Sequence, residues 1–208
     1  MDAALLQWLA RSAVDVAPGL LGARLARTTA EGTVRVRITE VEAYLGEHDP
    51  GSHAFRGQTN RNRAMFGPAG HIYVYFTYGM HHCVNIVCGH PGQATGVLIR
   101  AGEVVEGVPL AEQRRPSARG PLELAKGPAR LAQAMGLTLA DNGRAFVPGE
   151  LELHLPAVPA PAARVRSGPR VGVSGEGGSE NYPWRFWLEG EKTVSPYRSA
   201  KPRRRSAD

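Results

Sequence analysis

From residue 33 to 44 the side chains alternate in character with a period of two, and that alternation restricts the stretch to a β-strand. Val34, Val36 and Ile38 share one face, with Arg35, Arg37 and Thr39 on the wetter side. Strict alternation then carries Glu40, Glu42 and Tyr44 onto the apolar face as well. An apolar face that ends in two carboxylates breaks the binary pattern, and such breaks concentrate at functional or strained sites. Two readings stand at this point: the glutamates belong to a site, or a bulge or the strand's end turns both into water.

A second strand-like run covers 73–78. Tyr73, Tyr75 and Thr77 lie on one side, and Val74, Phe76 and Tyr78 on the other. Gly79 permits a turn, and 83–88 reads as the return strand of a hairpin. Aromatics are ordinary strand formers. A buried tyrosine hydroxyl nevertheless needs a partner, so three tyrosines in six residues make a costly core. A tyrosine at the tip, beside Gly79 and Met80, is poorly placed for burial and suited to wedge between stacked bases.

Length and charge narrow the choice of partner. A chain of 208 residues supports one domain with a substantial core. Lys and Arg total 25 against 19 Asp and Glu, a net charge of +6, which favours a polyanion. Arg56, Arg61 and Arg63 share a loop with no acid, and Arg203, Arg204 and Arg205 lie in a terminal segment, 199–208, read as disordered and solvated. Cys83 and Cys88 define no disulfide framework and suit a reducing compartment. With His81, His82 and His90 they offer metal-ligating atoms, but two cysteines five apart on a strand point to opposite faces, so no metal is expected. No phosphate-cradling glycine motif is present, and no cofactor is expected. Leu5, Leu6, Trp8 and Leu9 between Asp2 and Arg11 read as a short amphipathic helix rather than a signal peptide. No apolar run approaches membrane-spanning length, so a soluble cytoplasmic protein without a membrane partner is expected.

Downstream, 103–119 holds at most a short helix. Pro128 fits the first position of another, with Leu131, Ala134 and Met135 as its stripe and Gly136 as its end. Its N-terminus beside Lys126 and Arg130 suits a backbone phosphate or a plain surface helix. Residues 156–169 read as a loop, and 170–173 and 184–188 as late strands joined by a glycine-rich stretch. Strands and short helices mix without a βαβ rhythm, which predicts an α+β class and a single domain over 1–208.

Taken in order, Glu42-Ala43-Tyr44, His53, Arg61-Asn62-Arg63, Tyr73-Val74-Tyr75, Tyr78-Gly79-Met80, Asn85, Leu98-Ile99-Arg100, Gly127-Pro128 and Pro183-Trp184-Arg185-Phe186 resemble the alkyladenine (3-methyladenine) DNA glycosylases. The likeness runs from about Val14 to Arg198. It implies a single compact domain with a curved, largely antiparallel sheet, flanking helices and a protruding β-hairpin. It also implies a monomer acting on double-stranded DNA that contains damaged purines, associated with the nucleoid if bacterial. By this resemblance Glu42 is the general base and Arg100 helps place the attacking water. Tyr44, His53 and Tyr75 sandwich the flipped base, Asn85 crowds out normal guanine, and Tyr78 fills the gap in the duplex. Arg61, Arg63, Lys126 and Arg130 are candidates for the DNA backbone. The chain departs from the family pattern at Asn60, where proline is usual, and at Ala129-Arg130, where Gly-Lys is usual.

These roles agree with elementary chemistry. Unstacking is least costly at a damaged base, tyrosine faces attract a cationic alkylpurine, and an ionised carboxylate stabilises an oxocarbenium-like sugar while accepting a proton from water. The three lysines, Lys126, Lys192 and Lys201, all lie outside the 42–85 block, so no amine is at hand for a Schiff base and a monofunctional enzyme is expected. Two rivals remain: a module that binds damaged DNA without hydrolysis, and a glycoside hydrolase using Glu40 with Glu42.

Overall fold

In the computed structural model, which describes residues 2–77 and 79–200, the strand-period segments assemble into one sheet. Tyr78 and the three arginines near the C-terminus lie outside the described residues. The strands are β1 (Arg24–Thr29), β2 (Gly32–Leu45), β3 (Ile72–Thr77), β4 (His81–Cys88), β5 (Thr95–Glu106), β6 (Leu151–His154), β7 (Val165–Gly168) and β8 (Arg185–Leu188). Their order is β3-β4-β5-β2-β1-β6, with β8 pairing with both β2 and β7. Every pairing among the described strands is antiparallel. With α1 (Ala3–Leu9), α2 (Ala13–Val16), α3 (Val108–Arg114) and α4 (Pro128–Met135), this is the α+β domain expected.

The 14-residue strand β2 is the spine. One edge pairs with β5; the other takes β1 up to Arg37 and β8 from Glu40 to Glu42. The register against β5 slips at Thr39: Ile38 faces Gly102 and Glu40 faces Ala101, leaving Thr39 without an opposite residue. One extra residue inverts the parity of a strand. Before it, Val34, Val36 and Ile38 enter the core; after it, Val41 and Ala43 do. Glu40, Glu42 and Tyr44 therefore lie on the face opposite Val34, Val36 and Ile38, which corrects strict alternation. Nor does the bulge turn the carboxylates into water, because both are fully buried. Gly102 permits the bulge. A Cβ there would stand 2.2 Å from Val36 Cγ1 and 2.5 Å from the Arg37 carbonyl oxygen.

Helix α4 packs on β4 and β5, and α2 on β2 and β5. Leu9, Leu20, Ile38, Ile86, Ile99 and Leu131 are fully buried in the continuous core. Truncating such a leucine or isoleucine to alanine costs about 2–5 kcal/mol. Helix α4 opens at Pro128 and stops at Gly136, whose φ of +69° frees its N–H to reach the Ala132 and Gln133 carbonyls. Strand β4 pairs with β5 only from Asn85 to Cys88, so the far end of the β3–β4 hairpin runs out beyond the sheet. Two local expectations fail. The 156–169 stretch contains β7, and 170–173 is a turn with Gly172 at φ +71° rather than a strand. No helix among the described residues is long and apolar enough to cross a membrane.

Candidate active site

On the face of the sheet away from the main core, β2, β3, β4 and β5 border a cleft of about 480 Å³. Glu42, Tyr44, Tyr73, Tyr75, Asn85 and Arg100 line it from the strands, His53 from the loop after β2, and Val171 from the turn after β7. Residues from 42 to 171 thus converge because pairings Tyr73–Asn85, Asn85–Leu98 and Leu98–Glu42 keep every second residue on one face.

Glu42 is fully buried yet borders the cleft. Its Oε2 accepts a hydrogen bond from the Tyr44 hydroxyl at 2.8 Å, and its Oε1 one from the Val171 backbone N–H at 2.7 Å. Arg100 Nη1 stands 3.3 Å from Oε1 as an ion pair. A carboxylate has about four acceptor positions, so two protein hydrogen bonds leave lone pairs for the cleft. Burial opposes the Arg100 charge, but Glu42 and Glu40 outweigh it and hold its pKa above the usual arginine value. Burial first, then the Glu42 charge, pushes the Tyr44 hydroxyl well above 10, so it stays a donor.

Arg170, just before Val171, organises this corner. It is fully buried, donates to both oxygens of the equally buried Asp49 at 2.5 and 2.6 Å, and donates to the Ala43 and Gly177 carbonyls. Its guanidinium lies 4.5 Å from the Tyr44 ring centroid and 5.3 Å from that of Trp184. Arg170 thus covers one face of Tyr44. Desolvation weighs against its charge, but the Asp49 hydrogen bonds keep its pKa raised.

The opposite wall is aromatic. The Tyr73 and Tyr75 rings stack at 5.5 Å, and His53 meets Tyr75 edge-on at 4.6 Å. Enclosure, then the Arg61 charge, lowers the His53 pKa below 6.5 and favours the neutral ring. The Asn85 side chain donates to the Tyr73 carbonyl at 3.2 Å. Buried Asn62 donates to the His53 and Gly57 carbonyls, which fixes the loop and leaves its neighbours Arg61 and Arg63 exposed. Arg61 also donates to the Phe76 carbonyl on the hairpin. Lys126 donates to the Lys192 carbonyl at 2.7 Å, and Arg130 is exposed on α4. Tyr78 is outside the described residues.

Glu40 is also fully buried, but it does not line the cleft. Arg100 Nε, Arg185 Nε, the Ser195 hydroxyl and the Ser195 N–H all donate to it. Acceptors so fully used do not activate a water, which removes the basis for a two-carboxylate glycoside hydrolase. Cys83 borders the cleft while Cys88 sits in the main core, on opposite sides of β4 as their spacing requires.

Residue types alone did not point to Asp49, Asn62, Arg170, Arg185 or Ser195. Asn62 and Arg185 fall inside motifs that carry the family resemblance, which gave them no role, and Arg170 lay in a stretch read as a strand.

A buried carboxylate and arginine thus meet at an aromatic cleft on an α+β sheet with a projecting hairpin. The family model described as methylpurine-DNA glycosylase matches residues 7–192, and the chain belongs to that family. A protein of Streptomyces avermitilis named "Putative 3-methyladenine DNA glycosylase" is 58% identical, covering 96% of this chain and 93% of that protein. Proteins of the same name from Leifsonia xyli and Rhodococcus jostii are 55% and 48% identical over 90% and 94% of this chain.

Proposed function

We propose that this chain is a monofunctional DNA glycosylase that flips alkylated or deaminated purines of the 3-methyladenine, 7-methylguanine and hypoxanthine type out of duplex DNA and hydrolyses their N-glycosidic bond. The observation that carries this is Glu42, buried at the edge of the aromatic cleft with two oriented hydrogen bonds and lone pairs left over. Family membership supports a DNA substrate.

In this reading the open face of Tyr44 and the Tyr75–His53 wall receive the base, and Asn85 limits what fits beside it. Tyr78 takes the place of the flipped nucleotide, while Arg61, Arg63, Lys126 and Arg130 meet the phosphate backbone. Water enters beside the Glu42–Arg100 pair, on the lone pairs of Glu42 that face the cleft, where proximity is built in. Glu42 stabilises the oxocarbenium-like sugar and takes the water's proton as the C–O bond forms. The electron pair of the broken C–N bond goes to the base, which leaves neutral from a cationic alkylpurine and takes up a solvent proton when it is hypoxanthine. A binding module without chemistry has no need of a buried carboxylate, which is costly to desolvate.

The experiment is direct. Duplex containing hypoxanthine or 3-methyladenine, incubated with the protein and then cut with alkali, should break at the lesion; without alkali it should stay intact. Borohydride should trap no covalent adduct, and a trapped adduct contradicts the monofunctional assignment.

A further inference from the structure

We propose that Glu40, clamped by Ser195 and Arg185, is a positioning residue that holds Arg100 in its working orientation and keeps it from closing onto Glu42. The inference rests on the role given to Arg100 above. Glu40 reaches no substrate, since it is fully buried and outside the cleft lining. Its Oε1 accepts from Arg100 Nε at 3.0 Å, Arg185 Nε at 2.7 Å and the Ser195 hydroxyl at 2.9 Å; its Oε2 accepts from the Ser195 N–H at 2.7 Å. A carboxylate stripped of water and committed to that many donors is retained at a desolvation cost, and the bulge at Thr39 is what carries it off the core face.

The consequence falls on Arg100. Its Nε is held by Glu40 and its Nη2 donates to the Ser195 hydroxyl at 3.3 Å, so Nη1 alone is left toward Glu42. A guanidinium prefers a two-pronged pair with a carboxylate. Without Glu40, Arg100 is free to turn both prongs onto Glu42 and occupy the lone pairs meant for water. Glu40 also shares with Glu42 the balancing of the Arg100 charge. The clamp comes from a segment of chain far from β2 in sequence. Thr193 bonds the bulge residue Thr39 at 2.9 Å and the Ser195 carbonyl accepts from Arg185 at 2.9 Å. Both Thr193 and Ser195 lie beyond residue 192, where the family match ends.

The test is a double-mutant cycle on single-turnover excision of 7-methylguanine, a leaving group that needs little help, so slow variants stay measurable. Glu40→Gln should lower the rate by roughly 10-fold or more, the scale of losing a hydrogen bond to a charged group, with affinity for a duplex carrying an uncleavable abasic analogue unchanged. In an Arg100→Gln background, Glu40→Gln should cost nothing further, because its effect passes through Arg100. An equal loss in both backgrounds, or a wild-type rate for Glu40→Gln, overturns the proposal. Should Glu40→Gln fail to fold, Ser195→Ala runs the same cycle with a smaller expected loss. A wild-type rate for Arg100→Gln alone strikes the role of Arg100 itself, and is told apart by that single variant.

Discussion

The Tyr44 hydroxyl donates to Glu42 Oε2 at 2.8 Å from two residues along the same strand, and the same phenol ring is covered on one face by Arg170. Base contact and carboxylate orientation therefore depend on one side chain. Tyr44→Phe keeps the ring and removes the hydroxyl. It should slow excision roughly tenfold, the scale of one hydrogen bond to a charge, with little change in lesion affinity. Single-turnover rates beside fluorescence-anisotropy binding check this.

The Arg170–Asp49 pair is fully buried on both sides. Removing one partner of such a pair strands the other charge, so Arg170→Met or Asp49→Asn should each cost about 3–5 kcal/mol. The double variant should cost less than the sum. Urea unfolding of the four proteins measures it. Because Arg170 adjoins the Val171 amide that holds Glu42, whatever folded protein remains should also excise slowly.

Gly102 faces Ile38 beside the bulge, with no room for a Cβ. Gly102→Ala should cost about 1–3 kcal/mol by overpacking and displace the bulge that separates the carboxylates from the core. Activity should fall by more than the stability loss accounts for. Thermal unfolding compared with excision by the folded fraction separates the two.

That bulge also marks how far the sequence could be read. Strand periodicity located β2 and the β3–β4 hairpin, because these depend on local alternation. Proline and glycine punctuation located both ends of α4. The inversion at Thr39 was not legible, since a bulge is settled by the partner strand: it needs Gly102, 63 positions away (102 − 39). Arg170 read as part of a strand because its partner Asp49 lies 121 residues distant. Glu42 stood out as a carboxylate that breaks the strand pattern, while its role and Arg100 were legible only through the resemblance. The reason two glutamates stand together, one in the cleft and one behind Arg100, appears only in three dimensions.

Tyr73 is almost wholly buried, and desolvation pushes its hydroxyl up to about 12. In the unfolded chain it ionises near 10. The folded state thus binds more protons between about 10 and 12, and the stability from this group, full below pH 10, is lost as pH rises through that window. Tyr73→Phe should flatten the fall in urea midpoint between about pH 10 and 12.

The central claim concerns Glu42, and replacing it with glutamine tests it most directly. Single-turnover excision of hypoxanthine by Glu42→Gln should fall by at least ~10²-fold, the contribution of a general base, while the variant folds and still binds the lesion duplex. An excision rate matching the unsubstituted protein would contradict the account.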